Sequence, residues 1–380
     1  MSESERKSLA RRARLAVVKV GTNVLAPSAR CIDPERIRNL ADQIARLHQE
    51  GVSIILVTSG AIASGVAELG LSRRPDTLPD LQAAAAVGQS RLMRLYGEAL
   101  KPHGLHAGQV LLSRADFADR SRYLNIRHAL AALLRCDAVP IINENDSTST
   151  EEITFGENDL LSALVANLVQ APLLVILTTA EGLERDVDGR TQCVDLVPCI
   201  DDAVRSLVRA DRSASGAGGM ATKLEAAAIT TAAGEACIIA DGRRPDVLLR
   251  IWNAEKVGTL FLPAKGRRLS SRKRWLASAH VPAGSVTVDA GAKRALVEGG
   301  KSLLASGVLA VQGEFVRGDL VIVQDEEGTQ IARGLINYDS RDVGKIRGLK
   351  TREIEGALGS KPYDEVIHRD HLVLTEDRRR

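Results

Sequence analysis

Four stretches of this chain gather side chains able to handle an anionic substrate. Lys19 lies near the end of the apolar run LAVVKV and is followed by Gly21, so an ammonium group and a bare backbone position come together at the end of a strand. A lysine inside an apolar run is costly to bury unless paired; Lys19 reads either as a partnered charge or as the end of an edge strand. Thr58-Ser59-Gly60-Ala61, with Gly65 beyond, leads from a second apolar run into a helical segment. Small residues there leave N–H groups open to an anion, or supply an ordinary serine N-cap. Asn143-Glu144-Asn145-Asp146 ends a further strand, and Gly156-Glu157-Asn158-Asp159 opens the following helix. Such carboxylates and carboxamides could hold an α-amino group, a carboxylate or a metal, or could merely end a strand and cap a helix. Finally, the glycine-rich run from Ser215 to Lys223 enters a helix expected to begin near Ala221. Its amides and Lys223 could meet phosphate oxygens; a flexible linker is the alternative.

Other motifs weaken on inspection. The run from Gly216 to Ala221 satisfies GxGxxA but follows a helix and a polar loop, where a dinucleotide fold needs a strand. Gly300-Lys301-Ser302 has Ala295 in place of the leading glycine of a P-loop. His368 and His371 read as a solvated pair, no GxSxG or HExxH occurs, and no metal ligands can be assigned.

The elements that must position these residues alternate. From Leu15 to about Phe261, short β-branched runs alternate with helical periods, the pattern of a mostly parallel sheet with helices on both faces. Strands are expected at 15–20, 53–58, 107–112, 138–142, 172–178 and 236–240, mostly without polar alternation, as buried parallel strands are. Ile37, Leu40, Ile44 and Leu47 mark an amphipathic helix opening at Pro34, and further helices are expected near 80–100, 119–135, 157–170 and 221–233. The stretch 263–280 is rich in Lys and Arg and reads as a linker. Beyond it, short glycine-spaced strands suggest a small β-rich domain over 281–361, followed by a solvated tail, 362–380. Residues 1–14 read as a short disordered basic arm.

Composition narrows the class. A chain of 380 residues with 44% hydrophobic content can build two or three cored domains. A net charge of +3 does not demand nucleic acid, and 3% aromatics leaves little with which to stack bases. Five scattered cysteines without a CxxC pair argue against a disulfide framework and for a reducing, cytoplasmic setting. No run reaches the apolar length of a membrane span, Asn167, Gln170 and Pro172 interrupting the longest.

In order along the chain, VVKVGTNVL, VTSGAIASG, VGQSRLM, INENDS, FGENDLLSALVA and GAGGMATKLEAA resemble the amino-acid kinase family over about residues 15–262, and residues 281–361 resemble a PUA module. Within that family the substrate loops are most similar to those of members that phosphorylate the γ-carboxylate of L-glutamate with ATP and Mg²⁺, the first step toward proline. The resemblance implies that Lys19 and Lys223 flank the transferring phosphoryl group while Asp159 orients both. It implies glutamate contacts from Ser59, Gly60, Asn143, Asp146 and Asn158. Nucleotide contacts fall on Lys19, Gly21, Thr178, Thr179, Ala217, Gly218, Gly219, Met220, Ala221, Thr222 and Lys223. The chain departs from the family at Thr179, where Asp is usual, and at Glu184, where an aromatic often stands. The resemblance further implies feedback inhibition by proline and a homo-oligomer, and the reactive acyl phosphate product points to handover to a glutamyl phosphate reductase. Other carboxylate or carbamate substrates, or an RNA-binding regulatory role through the PUA-like part, are the alternatives.

Overall fold

The computed structural model describes residues 2–26, 31–147, 157–187, 190–210, 219–264 and 282–374. The chain divides into two compact units, Met1–Arg268 and Leu269–Arg380.

In the first unit the elements run α1 (Ser2–Arg12), β1 (Leu15–Val20), α2 (Thr22–Leu25), α3 (Pro34–Gln49), β2 (Ser53–Val57), α4 (Ala61–Glu68), α5 (Leu78–Leu100), β3 (His106–Leu112), α6 (Arg114–Ala118), α7 (Arg120–Arg135) and β4 (Ala138–Glu144). They continue as α8 (Glu157–Val169), β5 (Leu173–Thr178), β6 (Glu184–Val187), β7 (Arg190–Cys193), β8 (Leu196–Val197), α9 (Asp202–Ala210), α10 (Gly219–Ala232), β9 (Ala236–Asp241), α11 (Val247–Trp252) and β10 (Thr259–Phe261). Eight strands form one sheet in the order β3-β4-β2-β1-β5-β9-β10-β8, parallel throughout except where β10 runs against β9. Strand β1 sits between β2 and β5, where the chain order reverses, the switch point at which open α/β sheets bind ligands.

Alternation along β1 explains why one charge can live there. Ala16, Val18 and Val20 pack into a core shared with α3, α5 and α11. Val17 and Lys19 therefore point to the opposite face, where α8 and α10 pack. Helix α3 begins where Pro34 fits the first turn and Asp33 caps Glu35 N–H at 2.9 Å. Helices α4 and α5 approach very closely, which requires Gly65 and Gly88: a Cβ would stand 1.8 Å from the carbonyl oxygen of Ala84 or Ala61 respectively.

The N-terminal stretch differs from expectation. It is helical, and Arg6, only 3% exposed, donates to the carbonyls of Val257, Asp195 and Gly258 and to Asp195 Oδ1 at 2.8–3.0 Å. The charge pattern that suggests a solvated arm conceals one buried guanidinium, engaged through both terminal nitrogens. The antiparallel pair β6 and β7 and the short strands β8 and β10 leave no mark in the sequence, because two to four residues carry too little periodicity.

The second unit contains β11 (Gly284–Val288), α12 (Ala290–Val297), β12 (Val308–Gly313), β13 (Leu320–Gln324), β14 (Gln330–Leu335), α13 (Ser340–Ile346), α14 (Ile354–Leu358) and β15 (Leu372–Leu374). Its five-stranded sheet runs β12-β11-β13-β14-β15 around a separate core that includes Val286, Val321, Val323 and Ile346. Residues 372–374, expected in a tail, pair with β14, and Ile367 bridges Leu303; the apolar side chains of Val366, Ile367 and Leu372 close that core. The basic stretch 265–281 lies outside the described residues.

Candidate active site

The carboxyl ends of β1, β2 and β4 and the first turns of α8 and α10 meet over the switch point. Lys19 comes from β1, a central strand, which excludes the edge-strand reading. Its Nζ lies 2.6 Å from Asp159 Oδ1, and Lys223 Nζ lies 3.0 Å from Asp159 Oδ2. Thr222 Oγ1 donates to the same Oδ2 at 3.0 Å, and Lys223 Nζ also donates to the Gly219 carbonyl at 2.7 Å. Asp159 is wholly buried, Lys19 is 5% exposed and Lys223 9%. Burying one anion between two cations leaves a net positive centre, which an anionic ligand would neutralise.

The titration behaviour follows from this packing. Burial pushes Lys19 below its ordinary 10.5, Asp159 opposes that fall and Lys223 adds to it. For Asp159 burial works against ionisation, yet the two neighbouring ammonium groups together hold its carboxyl below the ordinary carboxylate value. The site is built to keep Asp159 charged as a positioning anion.

Gly21 follows β1, and its N–H donates to the Leu177 carbonyl at 3.1 Å. A side chain there would begin 3.5 Å from Lys19 Nζ, so glycine keeps the approach to the ammonium open. Gly60, rather than a serine, caps α4, with φ of +103° in the left-handed region; a Cβ would also meet Ile32 Cδ1 at 2.7 Å. That leaves the Ser59 hydroxyl to accept from Asn158 Nδ2 at 3.2 Å. The same Nδ2 donates to Asn143 Oδ1 at 3.1 Å, and Asn143 is 1% exposed at the end of β4. Asp146 lies half-buried in the turn after β4.

Thr178 ends β5, and its carbonyl accepts from Gly242 N at 2.8 Å. The Thr179 carbonyl accepts from Arg243 Nη2 at 2.7 Å, and the Arg243 guanidinium is oriented by Asp241 through two contacts of 2.9 Å. Gly219, Met220, Ala221, Thr222 and Lys223 form the first turns of α10, which begins at Gly219, slightly earlier than expected. Ala217 and Gly218 lie outside the described residues. Among the described residues no group of three His, Cys, Asp or Glu side chains could hold a metal ion.

Sequence reasoning assigned no role to Gln89, which is 8% exposed and accepts from Asn143 Nδ2 at 2.9 Å. A signal was present: Gln89 falls on the same helical stripe as Ala85 and Leu92, both buried. A polar side chain on an apolar stripe must find partners. Thr58, wholly buried, likewise pairs with Tyr96 Oη at 2.8 Å and fixes the end of β2 against α5.

Two ammonium groups on one buried carboxylate, at the carboxyl edge of a parallel sheet, suit transfer of a highly charged group. The chain belongs to the amino acid kinase family, whose sequence profile matches residues 14–241. The profile of the PUA domain matches residues 284–358. Relatives named glutamate 5-kinase align almost end to end. That of Citrifermentans bemidjiense is 48% identical over 373 residues, covering 97% of this chain and 100% of the relative. That of Chromohalobacter salexigens is 46% identical over 378 residues, covering 98% and 99%, and that of Moorella thermoacetica 45% over 377 residues, covering 98% and 100%.

Proposed function

We propose that this protein is a kinase that transfers the γ-phosphoryl group of MgATP to the γ-carboxylate of L-glutamate, the first step of proline biosynthesis. The observation that carries the reading is the Lys19–Asp159–Lys223 arrangement beside the Ser59, Asn143 and Asn158 cluster, in a chain nearly half identical to glutamate 5-kinases along its whole length.

The chemistry fits the residue inventory. A γ-carboxylate is already ionised at neutral pH, so no general base is needed. One of its oxygens attacks the γ-phosphorus, the bond to the β,γ-bridging oxygen breaks, and ADP leaves with that electron pair. The task is electrostatic, because two anions approach each other and charge grows on the equatorial oxygens. Lys19 and Lys223 flank that group and meet its charge, each aimed by one oxygen of Asp159. Both oxygens of Asp159 are engaged by ammonium groups, which suits positioning rather than proton transfer.

Ser59, Gly60, Asn143, Asp146 and Asn158 hold glutamate, with Asp146 meeting the α-ammonium group. Gly21, Thr178, Thr179 and the run from Ala217 to Thr222 hold the nucleotide. Magnesium enters as part of MgATP, in keeping with the ion's preference for substrate phosphates and water. Cytoplasmic location, inhibition by proline, self-association and delivery of the acyl phosphate to a glutamyl phosphate reductase complete the reading. No helix among the described residues is long and apolar enough to cross a membrane.

The test is ADP release from MgATP by the purified full chain in the presence of L-glutamate, N-acetylglutamate or aspartate. Strong dependence on glutamate alone is expected; release with another acid alone would reassign the substrate. The PUA match favours one second role, RNA binding. Salt-dependent RNA affinity that disappears on removal of residues 264–380 would support it, and its absence would dismiss it.

A further inference from the structure

The carboxamides beside the reaction centre form a chain whose direction is set by one main-chain donor. The Glu144 N–H can only donate, and it bonds Asn143 Oδ1 at 2.9 Å. This decides which end of the Asn143 amide is oxygen, a choice that amide pairs alone leave ambiguous. Polarity then propagates both ways. Asn143 Nδ2 donates to Gln89 Oε1 at 2.9 Å, so Gln89 turns its Nε2 toward Gln109 Oε1, 3.3 Å away. On the other side, Asn158 Nδ2 faces Asn143 Oδ1 at 3.1 Å and Ser59 Oγ at 3.2 Å, which uses both of its hydrogens. Asn158 Oδ1 remains a buried acceptor that no described residue meets.

A buried acceptor left without a donor is unfavourable and calls for one from a ligand. A free ammonium group brings three hydrogens and a positive charge to it. An acylated nitrogen brings one hydrogen and no charge, and a plain dicarboxylic acid brings neither.

We propose that Gln89 is a positioning residue for substrate selection. By accepting the Asn143 Nδ2 hydrogen it anchors the Asn143 side chain in the sense that the Glu144 N–H sets, which presents Asn158 Oδ1 to the free ammonium group of the amino-acid substrate. Without that acceptor, Asn143 loses one of the bonds that set its orientation. An Asn143 side chain tilted off its Glu144 and Asn158 contacts would leave the Asn158 amide free to turn and present hydrogens to a cation. Gly88, the neighbour of Gln89, lets α5 pack close against Ala61 and so seats Gln89 beside the site. The inference rests on the glutamate reading above.

The experiment compares wild type with Gln89→Met, which keeps the volume and removes the strong acceptor. The KM for L-glutamate is expected to rise about tenfold. The kcat, the KM for MgATP, the melting temperature and the inhibition constant of glutarate, which lacks the amino group, are expected to stay within about twofold. Gln89→Glu retains an acceptor toward Asn143, and its KM for glutamate is expected to stay closer to wild type than that of Gln89→Met. An unchanged KM in Gln89→Met, equal weakening of glutamate and glutarate, or the reverse order of the two variants would overturn the inference while leaving the glutamate reading intact. A wild type that does not turn over glutamate would overturn both.

Discussion

Lys19 and Lys223 grip opposite oxygens of one carboxylate: Lys19 Nζ stands 2.6 Å from Asp159 Oδ1 and Lys223 Nζ 3.0 Å from Oδ2. One lysine rises from the central strand β1 and the other from the first turns of α10, so the carboxylate on α8 fixes the spacing between two cations from separate elements. If that spacing serves phosphoryl transfer, Lys19→Ala or Lys223→Ala lowers kcat by roughly 10²-fold or more, the scale of losing one preorganised donor. Steady-state kinetics with folding checked by circular dichroism decide it; normal turnover in either variant removes that lysine from the mechanism.

Titration gives a second expectation. Because Lys19 is held below its ordinary 10.5, its ammonium is lost at lower pH than in the unfolded chain. The alkaline limb of kcat/KM is therefore expected below that value, and Lys19→Arg should move the limb upward while reducing the rate. On the acid side Asp159 has a depressed pKa, so its contribution to stability is present above the unfolded value and disappears as pH falls through the folded one. An alkaline limb unmoved in Lys19→Arg would assign the titration to another group.

Asp146 is expected to make an ionic contact formed equally in the ground and transition states. Asp146→Asn should then raise the KM for glutamate while kcat changes little. An unchanged KM would give Asp146 a structural role in the turn after β4.

Legibility in the sequence followed burial. The strands expected at 15–20 and 172–178 are readable because a strand covered on both faces is an almost continuous apolar run. Lys19 stood out by interrupting one of those runs. Its pairing with Asp159 and Lys223 came through family resemblance, since nothing in spacing brings positions 19, 159 and 223 together. Gln89 and Arg6 escaped because each is one polar residue whose partners lie far away in sequence, Asn143 for the first and Asp195, Val257 and Gly258 for the second. The last strand, β15, is three residues long and visible only through its pairing with β14.

The helical N-terminus yields a stability expectation. Arg6→Ala strands the buried Val257 carbonyl and removes three partly buried bonds. A loss of about 1–3 kcal/mol in denaturant unfolding is expected. No measurable loss would return α1 to the solvated role that its charge pattern suggested.

Close helix packing gives another. Gly88→Ala would drive a methyl group to 1.8 Å from the Ala61 carbonyl oxygen, a main-chain atom that cannot swing aside. Helix α5 must shift, at a cost of about 1–3 kcal/mol or more, and Gln89 shifts with it. The melting temperature and the KM for glutamate should both change. A variant as stable as wild type would contradict the packing described for α4 and α5.

The most direct test of the central claim is to trap the product. Purified protein with MgATP, L-glutamate and hydroxylamine should yield the γ-hydroxamate of glutamate, because an acyl phosphate is captured by that nucleophile. Lys19→Ala and Lys223→Ala should yield little. No hydroxamate from folded wild-type protein, with glutamate in excess, would contradict the assignment of the Lys19–Asp159–Lys223 centre to phosphorylation of glutamate.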